Sequence, residues 1–151
     1  MTGRWRAGIL LAILWVPAGC NSDVPVSAIG QITPPGLEVT VTRVATHPFL
    51  ARFNLRLTVR SASGCLATSD LFPDTGGVSR RNVYRGSLER LYVIGQFDVR
   101  RFDLQSCRIE LMEFRFLETG LGFVGSFDTD ASGRWRFLSS EERPERPFQP
   151  L

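Results

Sequence analysis

The chain has 151 residues, with 18 basic side chains that are all Arg, 15 acidic side chains, a single His and a net charge of +3 at pH 7. This length provides one small domain with one modest hydrophobic core, which excludes a two-domain architecture. Without Arg4 and Arg6, which lie in a leader described next, the net charge falls to +1. A protein so close to neutral is not expected to bind nucleic acid through its charge.

The first 19 residues have the layout of a secretory signal peptide. Arg4 and Arg6 precede the apolar run A-G-I-L-L-A-I-L-W-V at residues 7–16, and small residues follow before Cys20. A membrane-spanning helix needs about 20 apolar residues. The run therefore predicts a signal peptide and not a membrane span.

The end of this leader resembles the lipobox of bacterial lipoproteins, in which a Cys preceded by small residues receives the lipid. Ala18, Gly19 and Cys20 match that pattern, whereas Pro17 stands where the family usually has Leu. The resemblance implies a lipoprotein of the bacterial cell envelope, anchored by palmitate-type acyl chains on Cys20. The alternative is ordinary signal-peptide cleavage after Ala18.

The residue after the acylated cysteine bears on which membrane holds the anchor. Lipoproteins similar to this one that stay in the inner membrane commonly carry Asp at that place, and this chain has Asn21. The resemblance therefore implies the outer membrane, with the domain facing the periplasm.

The cysteine count favours the lipid anchor. The chain has three cysteines, and an odd thiol in an oxidising compartment needs a partner or a modification. If Cys20 carries lipid, Cys65 and Cys107 remain as one pair, and small secreted domains commonly contain a disulfide. A metal site at these cysteines would lack further ligands, because the chain has one His. We expect a structural disulfide, worth roughly 4 kcal/mol in the chain-entropy model.

Composition divides the rest of the chain into three parts. Residues 20–36 contain three prolines and two glycines without apolar periodicity, which predicts a flexible tether that holds the domain off the membrane. The folded domain is expected to span residues 37–138. The charged and proline-rich sequence at residues 139–151 predicts a mobile tail.

Alternating apolar residues predict several strands within the domain. The alternation begins at Leu37 and is clearest at residues 49–60. There, one set of apolar side chains faces one way: Phe49, Ala51, Phe53, Leu55, Leu57 and Val59. Residues 65–86 are irregular and predict a loop with one short strand or helical turn.

Further strands are expected at residues 91–99, 107–116 and 121–127, with another around Trp135. Within 107–116 the apolar parity changes, which indicates a bulge near Leu111 or burial on both faces. Short strands between Gly, Pro and Asp turns, with no long amphipathic helix, predict an all-β protein. We expect a small immunoglobulin-like or transthyretin-like β-sandwich.

One turn has the spacing of a calcium-binding loop. Asp128, Asp130 and Ser132 occupy the first, third and fifth positions of a D-x-D-x-S-G pattern, but Ser139 stands at position 12, where calcium loops need Glu. The same residues are typical of a hairpin turn. The sequence at residues 129–135 is also similar to the T-D-x-x-G-x-aromatic turn of transthyretin-like sandwich modules, which agrees with the predicted fold.

Three arginines form a row on the predicted outer face of one strand. Arg52, Arg56 and Arg60 recur every four residues, roughly 13 Å apart. Such a row is suited to an anionic glycan, a lipid headgroup or an acidic protein. The alternative is a solvated face whose charges prevent aggregation at a sheet edge.

The sequence gives little support for catalysis. His47 lies in a predicted turn, and no nucleophile motif accompanies it. A glycosidase-like carboxylate pair would require the fold to bring together two of four acidic residues: Asp70, Asp74, Glu110 and Glu113. We therefore predict a non-enzymatic, lipid-anchored binding or assembly module without a cofactor. Its expected partner is an envelope protein or an anionic glycan. The alternative is a small envelope hydrolase or hydrolase inhibitor.

Overall fold

A computed structural model describes residues 24–148, within which ten strands form two antiparallel sheets. Sheet A contains, in spatial order, β1 (Val26–Ile32), β2 (Leu37–Ala45), β3 (Phe53–Ser61) and β4 (Leu66–Asp74). Sheet B contains β5 (Arg81–Arg85), β6 (Leu91–Ile94), β7 (Val99–Asp103), β8 (Arg108–Met112), β9 (Gly122–Thr129) and β10 (Trp135–Ser139), in the order β10-β9-β5-β6-β7-β8. A 3₁₀ helix at Phe114–Phe116 follows β8. The predicted all-β sandwich is confirmed.

The main hydrophobic core lies between the two sheets. Alternate residues of β2 and β3, including Val39 and Leu57, are fully buried and meet Val93, Phe102 and Phe127 of sheet B. Each such side chain contributes about 1.5–3 kcal/mol when it leaves water. The alternation that predicts these strands therefore also identifies the face on which the domain is built.

A second apolar layer covers the outer face of sheet B. Tyr84, Tyr92, Ile94 and Val99 are buried there beneath apolar side chains from the segments that precede β9 and follow β10. The covering side chains include Leu117, Leu121 and Phe148. Sheet B is thus buried on both faces, whereas the outer face of sheet A carries exposed polar residues. Within residues 24–148, no helix has the length and apolar character needed to cross a membrane.

The predicted tether is wrong from Val26 onward, because this segment forms β1. The strand pairs with β2 along its whole length and buries Ala28 and Ile32. Its glycine does not indicate flexibility: a Cβ on Gly30 would lie 2.7 Å from the Phe137 ring, so this position allows a close approach between the sheets. The sequence pattern did not indicate a strand because this segment contains a glycine and has prolines on either side.

The predicted mobile tail is also wrong for the residues described. Strand β10 runs to Ser139, and the segment after it returns over sheet B. The Asn82 side-chain amide donates to the carbonyl of Arg146 over 3.0 Å, and the Tyr84 hydroxyl donates to Glu145 over 2.8 Å. The charged residues that suggested disorder instead have partners on the sheet.

Four strand predictions need correction as well, of which the first is the single strand expected at residues 91–99: β6 ends at Ile94 and β7 begins at Val99. The strand expected from residue 49 begins at Phe53, and Phe49 and Ala51 are exposed. The loop expected at 65–86 contains the nine-residue β4 and all of β5. The strand expected at 107–116 ends at Met112 and is followed by the 3₁₀ helix. Ile109 packs against the main core and Met112 against the second apolar layer, so the change of parity reflects burial on both faces of β8 and not a bulge.

Candidate functional site

The disulfide predicted from the cysteine count is present. Cys65 follows β3 and Cys107 precedes β8, and their Cα atoms are 5.8 Å apart. The bond joins the β3–β4 turn of sheet A to the β7–β8 turn of sheet B. It therefore fastens the two sheets along the side of the sandwich where β4 faces β8. Cys20, the predicted lipid-anchor residue, lies outside the described residues.

The arginine row predicted on one strand is only partly there: Arg56 and Arg60 lie on β3 at the outer face of sheet A, whereas Arg52 precedes the strand. Arg52, Arg56 and Arg60 are all exposed. The Arg56 guanidinium donates to the Asp70 carboxylate over 2.8 Å, and this hydrogen bond raises the pKa of Arg56. Much of the positive charge in the middle of the row is thus balanced within sheet A, so the three side chains do not form one uniform anion site.

The candidate calcium residues form a turn held by arginines. Asp130 accepts the backbone N–H and the hydroxyl of Ser132 and the backbone N–H of Arg134, and these hydrogen bonds lower its pKa. Asp128 pairs with Arg143 over 2.5 Å. Because the lone pairs of both carboxylates are engaged by donors of the chain itself, the arrangement is that of a hairpin turn.

The four carboxylates considered for catalysis each bind a donor of the chain itself. Asp70 binds Arg56, and Glu110 and Glu113 bind Arg101 and Arg115 on the surface. Asp74 accepts the backbone N–H groups of the two glycines that follow it and the hydroxyl of Ser79. His47 Nδ1 accepts the backbone N–H groups of Phe49 and Leu50, each over 3.1 Å. Each of these groups therefore has a structural partner.

An apolar groove lies where β4 approaches β8, and it is the feature that the sequence did not reveal. It has a volume of about 650 Å³ and is lined by Phe72, Phe97, Leu111, Met112, Glu113, Phe114 and Arg115. Four of its five large apolar side chains, at positions 72, 97, 111 and 114, are between 42 and 58% exposed. Contiguous exposed apolar surface of this kind marks interaction sites in soluble proteins.

A buried cluster of charges supports the floor of this groove. Asp98 lies 3.6 Å from Arg81 and 3.9 Å from Arg100, and all three side chains are buried. The backbone of Phe72 is held from both sides, since its N–H donates to Asp98 over 2.9 Å and its carbonyl accepts from Arg81 over 2.7 Å. Burial lowers the pKa of Arg81. We call Arg81, Asp98 and Arg100 the charge cluster.

The sequence contains one signal for the groove that the strand pattern left unexplained. Phe114 and Phe116 fall on the opposite parity from Ile109, and Phe72 lies in the stretch that appears irregular. Apolar residues that fit no single face are candidates for exposed apolar surface. The charge cluster has no comparable signal, because Asp98 and Arg100 alternate with Phe97 and Val99 as the outward residues of a half-buried strand do.

Glu118 fixes the segment that covers the outer face of sheet B. Its carboxylate accepts hydrogen bonds from the Tyr92 hydroxyl over 2.6 Å, from the Ser87 backbone N–H and hydroxyl, and from Arg90 over 2.8 Å. These donors, the Tyr92 hydroxyl first, lower the pKa of Glu118 to about 2. The ionised carboxylate therefore stabilises the folded protein.

Replacing Glu118 by Gln should lower the free energy of unfolding at neutral pH by about 1.5–3 kcal/mol, the usual worth of hydrogen bonds to a charged group. Because the folded-state pKa lies below the unfolded-state value, this contribution is complete above about pH 4.5 and is lost as the pH falls toward about 2. Denaturant unfolding of both proteins across that range should show the difference shrinking with acid. Glu141→Gln, at an exposed position, is the control. A pH-independent difference would contradict the assignment.

No protein-family model, curated protein or solved structure matches this chain. Its function therefore has to be inferred from the arrangement of its own residues.

Proposed function

We propose that the protein is a lipid-anchored, non-enzymatic binding module of the bacterial cell envelope. Acylation of Cys20 would hold it in the outer membrane, with the sandwich facing the periplasm. The groove between β4 and β8 would take an apolar segment of an envelope protein. The observation that carries the binding function is this groove.

The edge of sheet B beside the groove supports a peptide-like partner. Among residues 24–148, strand β8 pairs only with β7, and it is the edge strand of sheet B. An extended partner segment can pair with such an edge while its side chains enter an adjacent apolar groove. Phe72 and Phe97 would then provide aromatic anchor surface, the side-chain type that is enriched at binding hot spots.

The rim of the groove supplies polar contacts that would orient the partner. Glu113 and Arg115 form an ion pair over 2.7 Å beside the opening. The Arg100 guanidinium lies 5.6 Å from the centre of the Phe72 ring, within the range of a cation–π contact. An apolar centre with a charged rim is the usual composition of a protein interface.

Replacing Leu111 by Asp should weaken partner binding by about 2 kcal/mol or more, which is roughly thirtyfold, because it places a charge in the apolar centre of the interface. The measurement is photo-crosslinking in intact envelopes from a benzophenone side chain at position 97 of the full-length protein. We expect one crosslinked envelope protein with the wild-type chain and loss of that product with Leu111→Asp.

Leu66→Asp is the matched control for this experiment. Leu66 is 57% exposed and Leu111 is 58% exposed, and each lies on the outermost strand of its sheet. Leu66 stands six residues before Phe72 on β4, roughly 20 Å from it along the strand. The crosslink should survive Leu66→Asp. Equal crosslinking of both variants, or no crosslink with the wild type, would contradict the groove as the binding site.

A further inference from the structure

The chain enters the sandwich at the same end as the connection between β2 and β3. Val26, the first residue of β1, pairs with Arg43 near the end of β2, and β3 begins at Phe53. The residues between these two strands, 46–52, are called the 46–52 loop. It projects from the end of sheet A at which the chain arrives from Cys20.

The reach of the chain between Cys20 and the sandwich is short. Only five residues separate Cys20 from Val26. An extended chain covers at most about 3.6 Å per residue, so the Cα atoms of these two residues are no more than about 22 Å apart. If Cys20 carries the lipid, the end of the sandwich that bears the 46–52 loop is held close to the bilayer surface.

The 46–52 loop presents an apolar tip on a well-fixed backbone. Phe49 is 87% exposed, the highest value for a large apolar side chain within residues 24–148, and Leu50 is 48% exposed. His47 Nδ1 accepts the backbone N–H groups of both residues, and the Thr46 N–H donates to the Arg52 carbonyl over 2.9 Å. A preordered loop loses little conformational entropy when its tip binds.

One exposed cation lies at the base of this loop. Arg52 is exposed there, whereas Arg56 is paired with Asp70 and Arg60 lies at the other end of β3. An exposed aromatic and aliphatic tip beside a cation is the combination that favours the interfacial layer of an anionic bilayer.

We propose that the 46–52 loop is a second membrane contact, which inserts Phe49 and Leu50 into the interfacial layer of the same bilayer that holds the lipid on Cys20. The inference rests on the anchor proposed above. Insertion removes both side chains from water and brings Arg52 to the level of the anionic headgroups. Two contacts fix the orientation of the sandwich relative to the membrane, which the lipid alone would not do.

The test uses full-length protein reconstituted into vesicles of phosphatidylethanolamine and phosphatidylglycerol. Ala51→Cys, in the loop, is labelled with a fluorophore that shifts to the blue in apolar surroundings. The matched control is Thr119→Cys, an exposed position in the turn that precedes β9 at the opposite end of the sandwich. The label at position 51 should be blue-shifted, quenched by lipid-borne spin labels and protected from iodide. The label at position 119 should be quenched by iodide only.

Adding Phe49→Asp to the Ala51→Cys chain should abolish the blue shift and restore quenching by iodide. Arg52→Glu should weaken lipid quenching in anionic vesicles, whereas Arg60→Glu, at the other end of β3, should not. Equal iodide quenching at positions 51 and 119 would overturn the inference, as would unchanged lipid quenching after Phe49→Asp.

Labelling of the unsubstituted protein distinguishes two negative outcomes: that the 46–52 loop does not contact the membrane, and that Cys20 is not acylated. With Cys20 acylated and Cys65 bonded to Cys107, it should take up no label at all. Labelling of Cys20 in this protein would refute the anchor and, with it, the inference that depends on the anchor. An unlabelled wild type together with a solvent-exposed position 51 would refute the loop contact alone.

Discussion

Replacing Asp98 by Ala lowers the free energy of unfolding by about 3–5 kcal/mol, the expected cost of removing one partner from a buried ion pair. Asp98 is 2% exposed, and Arg81 and Arg100 beside it are 3% and 7% exposed. Without the carboxylate, two guanidinium groups remain buried with only backbone carbonyls as partners. The Phe72 backbone N–H also loses its acceptor. Both losses act on the same side of the sandwich.

Denaturant unfolding of the two proteins measures this effect, and Asp70→Ala is the matched control. Asp70 also binds an arginine, but its side chain is 73% exposed, so its loss should cost no more than about 1 kcal/mol. Because the charge cluster holds Phe72 in the groove, Asp98→Ala should also reduce crosslinking to the partner. If Asp98→Ala costs no more than Asp70→Ala, the cluster does not hold the sheets together.

Close packing around the cluster explains one glycine that the sequence leaves unassigned. A Cβ at Gly95 would lie 2.5 Å from the Asp98 carboxylate and 2.8 Å from the Arg81 guanidinium carbon. This glycine is therefore retained for space and not for a turn conformation.

The features that the sequence predicts well are those determined by local periodicity or by elimination. Alternation identifies the inward faces of β2 and β3 because a half-buried strand has a period of two. The disulfide follows from the three cysteines if Cys20 carries the lipid, without knowledge of the fold. Each inference needs only the chain itself, and the structure confirms the sandwich and the bond.

The features that the sequence does not predict depend on contacts between distant segments. Strand β1 looks like a tether because Gly30 is read as flexible, whereas it makes room for Phe137 of the other sheet. The segment after Ser139 looks disordered because its partners, Asn82 and Tyr84, lie more than fifty residues earlier. The groove and the charge cluster likewise combine residues from several strands.

Different contacts connect the two sheets on the β1–β10 side and on the β4–β8 side of the sandwich. On the β1–β10 side, the Trp135 indole N–H donates to the Val41 carbonyl over 3.0 Å, and Gly30 packs against Phe137. On the β4–β8 side, the charge cluster connects the sheets near one end and the disulfide connects them at the other. The groove lies on this second side, at the end that the charge cluster holds.

Replacing Cys65 by Ser should therefore lower the free energy of unfolding by about 2–5 kcal/mol under oxidising conditions, the usual cost of losing a native disulfide. The bond closes a loop with a sequence separation of 42, which restricts the unfolded chain. Cys65 is the better position for the test, because Cys107 has a φ of 52°, a left-handed conformation in which a Ser would remain strained.

Urea unfolding of wild type and variant, with and without reductant, isolates the contribution of the bond. In reductant the two proteins should unfold at nearly the same denaturant concentration, and only the oxidised wild type should be more stable. The double variant Cys65→Ser/Cys107→Ser excludes effects of a free thiol and should match the single variant to within about 1 kcal/mol, allowing for the strain at position 107. Alkylation of both thiols in unreduced wild-type protein would contradict the bond. Since the disulfide and the charge cluster hold opposite ends of the β4–β8 side, Cys65→Ser should open that side only at its own end and leave the position of Phe72 unchanged.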